Sequence, residues 1–471
     1  MTARLDKAIR VGFVCELVFT CLSHGGVEPW SLAIFELMTV ALMLIWAVKV
    51  ILDQVLAIRI HTAAMPLALF LGIALVQCLA FTDGAGRRHG VSMDTEATRS
   101  AAQVLFFLLV SFIIAGNFFD GRKQLRALVH FLIYFGLALA LFALAQHFTW
   151  NGSFYWLRRA SAHVTSPFGP FVNRNHFAGY MEMLIPLPLA IVIARAGNKD
   201  LRMFHLFAAA MMAIAAVASL SRGGMISLIA ELIFLTLMSI RRSHYAQMIS
   251  GARPYRKLAF VIHRSAFVLL VLFAVLTGVY WTGPERVIDR VARTNVISED
   301  PQPETFFTSR GWIWQDTLEM FRANPILGVG LGAYETAYPI YSRDDGAATL
   351  GASYAVDKAH NDYFQVLADT GVIGGALTLW FIISLFQAIF RASKSSDPLF
   401  QAIALGCGAG IFGLLTHSLF DFNLQLPSNA LLFLLLAAAV SHAGAVAKAA
   451  DAKGPALLAE PESEFAFVIG A

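Results

Sequence analysis

Charge is what this sequence has least of. Only 14% of its 471 residues are Asp, Glu, Lys or Arg, and 58% are hydrophobic. An average soluble domain carries roughly 25% charged residues. A water-soluble chain of this make-up has too little polar surface to cover its own core, so a string of soluble domains is excluded and one membrane domain with loops is indicated. Cysteine is scarce: Cys15, Cys21, Cys78 and Cys407 all lie in or beside apolar runs, with no disulfide or zinc spacing. No block of like charge suggests a nucleic-acid partner, and the formal net charge is only +4. Neither HExxH nor GxSxG occurs, which argues against a metalloprotease or a serine hydrolase. The run Gly328-Val329-Gly330-Leu331-Gly332 lacks the spacing and strand-to-helix setting of a dinucleotide loop. Asp344-Asp345 could bind a metal, but adjacent acids in a polar loop are usually just solvated, and no metal is expected. Arg4, Lys7 and Arg10 precede an apolar run as in a signal peptide, but no small-residue cleavage site follows cleanly. The run is read as a retained first helix.

Long apolar runs, by contrast, are plentiful. About 20 mostly apolar residues cross a bilayer as a helix. Runs of that kind lie near 9–24, 31–52, 64–82, 100–119, 125–148, 176–195, 203–220, 224–240, 263–281, 371–391, 399–418 and 428–446. The expectation is an all-α polytopic membrane helix bundle of about twelve spans. Lys and Arg fall in alternate loops: Arg122, Lys123 and Arg126; Arg195, Lys199 and Arg202; Arg241, Arg242 and the basic residues of 253–264; Arg391 and Lys394. By the positive-inside rule that side is cytoplasmic, and an even number of spans puts both termini there. Loops 83–99, 149–175, 221–224, 282–370 and 419–427 then face outward. The chain divides into membrane helices over 1–281, an outer loop over 282–370, membrane helices over 371–446, and a tail over 447–471 that is expected to be disordered. The long loop carries helical patterning of its own. Thr308-Ser309 suits a cap for a helix over 309–322 with Trp314, Leu318 and Phe321 in an apolar stripe, and Asn324-Pro325 stops it. Such a helix suits the membrane interface, with its tryptophans at headgroup depth.

Polar motifs gather on the outward loops. Phe168 to Tyr180 includes Asn173-Arg174-Asn175-His176 at the entry to a span. Ser221-Arg222-Gly223-Gly224 forms a tight turn, and Ser309-Arg310-Gly311-Trp312 opens the loop helix. His360-Asn361-Asp362-Tyr363 runs into the span beginning near Gly371. A cation in the first turn of a helix is disfavoured by the dipole, and a bound anion reverses that sign, so Arg310 is read as an anion ligand, the alternative being an exposed arginine paired with a nearby acid such as Glu304. Arg222 suits either a ligand contact or snorkelling to the interface. His360 is the side chain most able to take a proton near neutral pH, although Asp362 two residues on does not share its helical face. Among the acids within spans, Glu16 and Glu36 are read as bonded between helices. Glu182, about 9 Å along the helix from His176, suits the same cavity, and Glu231 lies deeper, about 12 Å from Gly223.

Taken in order, these segments resemble the superfamily of O-antigen ligases and O-antigen (Wzy-like) polymerases. The likeness covers about 160–430 and includes Asn324-Pro325-Ile326-Leu327-Gly328-Val329-Gly330 and His417-Ser418-Leu419-Phe420-Asp421-Phe422-Asn423. It implies a GT-C-like membrane glycosyltransferase of a bacterial inner membrane. Such an enzyme takes a glycan from an undecaprenyl-pyrophosphate-linked donor at the periplasmic face, with no cofactor and no nucleotide sugar. The acceptor hydroxyl belongs to lipid A–core, to a second glycan, or to Ser or Thr of a protein. The resemblance assigns Arg222 and Arg310 to the pyrophosphate and His360 to the acceptor, as base or positioning group. Asn173, Arg174, His176, Trp312, Asn361, Asp362 and Tyr363 are further candidates for substrate contact, with His417 and Asp421 in support. Lipids, the donor and the acceptor are the expected partners, and nucleic acid is not. A transporter or flippase of lipid-linked glycan remains the alternative.

Overall fold

A computed structural model describes residues 2–82, 88–160, 166–250, 306–342 and 356–453. The expected span at 263–281, the basic residues of 253–264, the Asp344-Asp345 pair and the tail beyond 453 lie outside the described residues. The regular structure of the described residues is helical, apart from two short antiparallel hairpins, Ala80–Thr82 with Arg88–Gly90 and Ser153–Phe154 with Arg158–Arg159, and two isolated bridges. Its helices are α1 (Thr2–Leu22), α2 (Pro29–Asp53), α3 (Ala64–Gln77), α4 (Thr95–Phe118), α5 (Arg122–Phe148), α6 (Arg174–Leu184) and α7 (Pro186–Ala194). Then come α8 (Arg202–Ala218), α9 (Arg222–Ser250), α10 (Phe306–Ala323), α11 (Tyr334–Tyr341), α12 (Asp362–Ala392), α13 (Pro398–His417) and α14 (Pro427–Lys453).

Among the described residues, 9 helices are long and apolar enough to cross a membrane, α6 and α7 together counting as one. The protein is thus an all-α, multi-pass membrane protein. Two of the expected spans fall short of that standard. α1 carries Arg4, Asp6, Lys7, Arg10 and Glu16 along its 21 residues. Glu16 is buried and accepts from Thr39 at 2.5 Å and from Ser111 at 3.4 Å, which ties α1 to α2 and α4. α3 has 14 residues and ends at Gln77 rather than running on to 82. At 1.5 Å per residue it spans about 21 Å, short of a hydrocarbon core of about 30 Å.

Gln77 explains where α3 stops. Its amide nitrogen donates to the carbonyls of Leu327 (2.5 Å) and Asp369 (2.8 Å), and its amide oxygen accepts from Leu331 N–H (2.9 Å). The loop segment 325–332 therefore fills the space above α3. That segment also stitches the break in α12. Gly371, with φ of 64°, separates Asp362–Thr370 from the membrane-spanning stretch that follows. Val329 N–H donates to Ala368 O, Gly330 N–H to Asp369 O and Val372 N–H to Pro325 O. A Cβ on Gly371 would lie 2.2 Å from Ile326 O, so only glycine permits this crossing.

α2 is the most lipid-facing span, whereas α6–α7, α13 and α14 are almost wholly buried among other helices. These three form the centre of the bundle. The ends of α6 and α13, together with the start of α9, meet where the polar motifs lie.

α10 begins at Phe306, three residues before the expected start. Its buried face is Ile313, Thr317 and Met320 rather than Trp314, Leu318 and Phe321. Trp314 instead donates from its indole nitrogen to Ala359 O at 3.0 Å.

Candidate functional site

The site is assembled from four helix ends. α9 starts at Arg222 because Ser221 caps it: the Ser221 hydroxyl accepts from Gly224 N–H at 3.1 Å and its carbonyl from Met225 N–H at 3.0 Å. The cap places Arg222 in the first turn, with its side chain beside the end of α13. Arg310 arrives from α10. It lies beyond the first turn of that helix, so the free N–H groups at the helix start do not accompany it, contrary to the expectation from sequence. What Arg310 offers is its guanidinium, which donates to Phe420 O. Arg222 and Arg310 line one small cavity of ≈ 50 Å³ together with Asn175, Leu220, Gly223, His417, Phe420 and Asp421.

Asp421 joins this cavity to His360. Its Oδ1 accepts from Phe422 N–H at 2.9 Å and faces His360 Nδ1 at 3.3 Å. Its Oδ2 accepts from Asn175 Nδ2 at 2.5 Å. Burial works against the charge on Asp421. The hydrogen bond from His360 and the fields of His360, His176 and Arg310 outweigh it and hold the carboxyl well below the usual carboxylate range. His360 has φ of 50° and precedes the cap of α12. That strained backbone turns the imidazole away from its own helix and toward the 418–426 loop. With Nδ1 facing Asp421, Nε2 is the ring nitrogen left to take or give a proton. The Phe422 ring lies between two imidazoles, 5.0 Å from His176 and 5.1 Å from His360.

Two of the candidate residues cap helices. Asn173 Oδ1 accepts from Asn175 N–H at 2.9 Å at the start of α6. Asn361 Oδ1 accepts from Tyr363 and Phe364 N–H at the start of α12, while its amide donates to Leu419 O at 3.1 Å. Asp362 is buried and accepts from Ser418 Oγ (2.8 Å), Leu424 N–H (3.2 Å) and Gln425 Nε2 (3.3 Å). Tyr363 donates from its hydroxyl to Leu415 O at 2.6 Å. Asn361, Asp362 and Tyr363 thus hold the 415–425 stretch, and through it Asp421, in place. His176 is buried beside Phe422, neither ring nitrogen having a hydrogen-bond partner among the described residues. Arg174 opens α6, and its N–H donates to Ser166 O at 2.8 Å. Trp312 is 43% exposed and stands outside the cavity.

Sequence reasoning placed Asp421 and His417 in supporting positions and passed over Asn175. Their signal was their presence in motifs already marked, His417 to Asn423 and Asn173 to His176. Which of them meet is settled only by packing. Among the described residues no group of three or more His, Cys, Asp or Glu is placed to hold a metal ion.

None of the curated proteins compared with the chain matches it. Residues 207–379, which run from within α8 to within α12 and hold Arg222, Arg310 and His360, match the family model described as O-antigen ligase.

Proposed function

We propose that this protein transfers a glycan from an undecaprenyl-pyrophosphate-linked donor to an acceptor hydroxyl at the periplasmic face of the bacterial inner membrane. The acceptor is lipid A–core in a ligase or the end of a second lipid-linked glycan in a polymerase. The observation that carries this reading is the shared cavity: two guanidinium groups from helices far apart in the chain line it, beside an Asp421–His360 pair.

The reaction breaks the bond between the sugar's anomeric carbon and the pyrophosphate oxygen and forms one to the acceptor oxygen. Pyrophosphate is a good leaving group, so the protein has two tasks. One is to stabilise the negative charge that grows on the phosphate oxygens, which suits Arg222 and Arg310. The other is to take the acceptor proton, which suits His360 with Asp421 behind it to balance the imidazolium. Arg310 is closed onto Phe420 O at the wall of this cavity. A phosphate therefore enters by drawing Arg310 away from Phe420 O, exchanging a carbonyl for a charged partner.

The test is transfer by the purified protein in proteoliposomes, with lipid-linked glycan and acceptor and no ion gradient. Glycosylated acceptor and released undecaprenyl pyrophosphate are expected. Movement of the lipid-linked glycan between leaflets without transfer would instead establish the transporter reading. Deletion in the native host separates the acceptors: loss of core-linked long chains with retained lipid-linked polymer marks a ligase, and accumulation of single repeats marks a polymerase.

A further inference from the structure

The pyrophosphate cavity has a third polar wall that the two arginines do not account for. His417 ends α13 with its side chain essentially wholly buried. Its Nδ1 lies 3.1 and 3.2 Å from the two carboxylate oxygens of Glu182 on α6, which is fully buried as well. An ionised Glu182 accepts only, and Nδ1 then carries a hydrogen with the imidazole plane fixed by Glu182. The other nitrogen, Nε2, is buried without a hydrogen-bond partner among the described residues. His417 lines the same cavity as Arg222 and Arg310. Gly223 makes this possible: a Cβ there would stand 2.7 Å from Nε2, so the ring rests directly on the first turn of α9.

A buried ring nitrogen with nothing to bond, on a side chain that lines a cavity, is uncommon in a folded protein. The groups around it decide what fits. Glu182 and His176 face it from α6, Arg222 from α9, Arg310 from α10, and Asp421 from the turn after α13. With the cavity empty, the two guanidinium groups oppose a further positive charge. With a phosphate present, that opposition is removed while Glu182 still stands behind the ring.

We propose that His417 is a third phosphate ligand of this site and that Glu182 is its positioning residue. His417 takes up a proton from solvent at Nε2 as the pyrophosphate enters, and donates the resulting N–H to a phosphate oxygen. Glu182 balances the imidazolium from the far side. No covalent bond is made by either residue, and the proton returns to solvent when the pyrophosphate leaves. The inference deepens the lipid-pyrophosphate reading above and rests on it. It also gives one stretch, His417 to Asp421, two tasks: its first residue faces the leaving group and its last holds the acceptor-side histidine.

The experiment uses the purified full-length protein in nanodiscs and two probes, farnesyl diphosphate and farnesol, with binding measured by calorimetry at neutral pH. The proteins are wild type, His417→Gln, Glu182→Gln and the double variant, each checked by thermal unfolding. Gln at 417 retains an N–H donor without the charge, and Gln at 182 retains an acceptor without the charge. Each single variant is expected to bind farnesyl diphosphate about tenfold more weakly, with farnesol binding unchanged. The double variant is expected to bind no more weakly than the weaker single, because the two side chains act as one unit. Wild-type affinity for the diphosphate in either folded single variant would overturn the proposal. So would an equal loss for both probes, which marks a purely structural pair. If one single variant fails to fold, the other decides. A wild-type protein that binds farnesol but shows no preference for the diphosphate would remove the underlying reading, and this inference with it.

Discussion

Replacing Asp421 by Asn is the sharpest test of how the site handles the acceptor proton. The side chain keeps its shape. Its oxygen can still accept from Phe422 N–H and His360, and Asn175 can turn its own amide to accept where it now donates. What is lost is the charge opposite His360. A hydrogen bond to a charged group contributes about 1.5–3 kcal/mol and one between neutral groups about 0.5–1.5 kcal/mol. The difference, about 1–1.5 kcal/mol, predicts a transfer rate lowered about tenfold. Full removal of a general base costs about 10²–10⁴-fold, and that is the expectation for His360→Ala. The assay is single-turnover transfer in proteoliposomes at saturating donor, on wild type, both single variants and the double. Since Asp421 acts through His360, it should cost nothing further once His360 is Ala. Additive losses, or a fully active Asp421→Asn enzyme, would refute the assignment. The pH dependence adds a check. A carboxyl held below its ordinary value contributes stability that is complete above the unfolded pKa, near 4, and is lost as pH falls through the lower folded value. Asp421 is therefore ionised throughout a pH 5–9 profile, and any inflection there belongs to another group.

Arg310→Ala should abolish transfer while the protein still inserts, and Arg310→Lys should lose at least tenfold because a point charge does not reproduce a two-pronged phosphate contact; wild-type turnover in either would remove Arg310 from the phosphate. Gly223→Ala brings a methyl to 2.7 Å from His417 Nε2, so a loss of about 1–3 kcal/mol in thermal unfolding is expected together with weakened binding of farnesyl diphosphate. Gly371→Ala sets a Cβ 2.2 Å from Ile326 O at a positive φ; it should destabilise the protein by more than the Asn361→Ala cap variant, for which about 1 kcal/mol is expected.

Much of the bundle was legible because apolar runs of membrane-crossing length need no tertiary information to be seen. The exceptions have local causes. α3 stops early because Gln77 turns to bond the carbonyls of Leu327 and Asp369, residues far along the chain. α10 starts before Thr308-Ser309, which moves Arg310 out of the first turn and leaves the guanidinium as its means of reaching an anion. The motifs of the site were visible as clusters of hydrogen-bonding residues in the loops expected on one side of the membrane, but their partners were not. His360 is paired with Asp421, 61 residues away, rather than with Asp362, its neighbour in sequence. Asp362 turns instead to Ser418, Leu424 and Gln425. His417 and Glu182 meet across 235 residues. Periodicity reports which face of a helix is buried; it does not report which helix lies opposite.

The central claim is that Arg222 and Arg310 together receive a lipid-borne pyrophosphate. A cryo-electron microscopy map of the full-length protein in nanodiscs with undecaprenyl pyrophosphate tests it most directly. The account predicts phosphate density within hydrogen-bonding distance of both guanidinium groups, with Arg310 released from Phe420 O. Phosphate density elsewhere, with Arg310 still on Phe420 O, would contradict it.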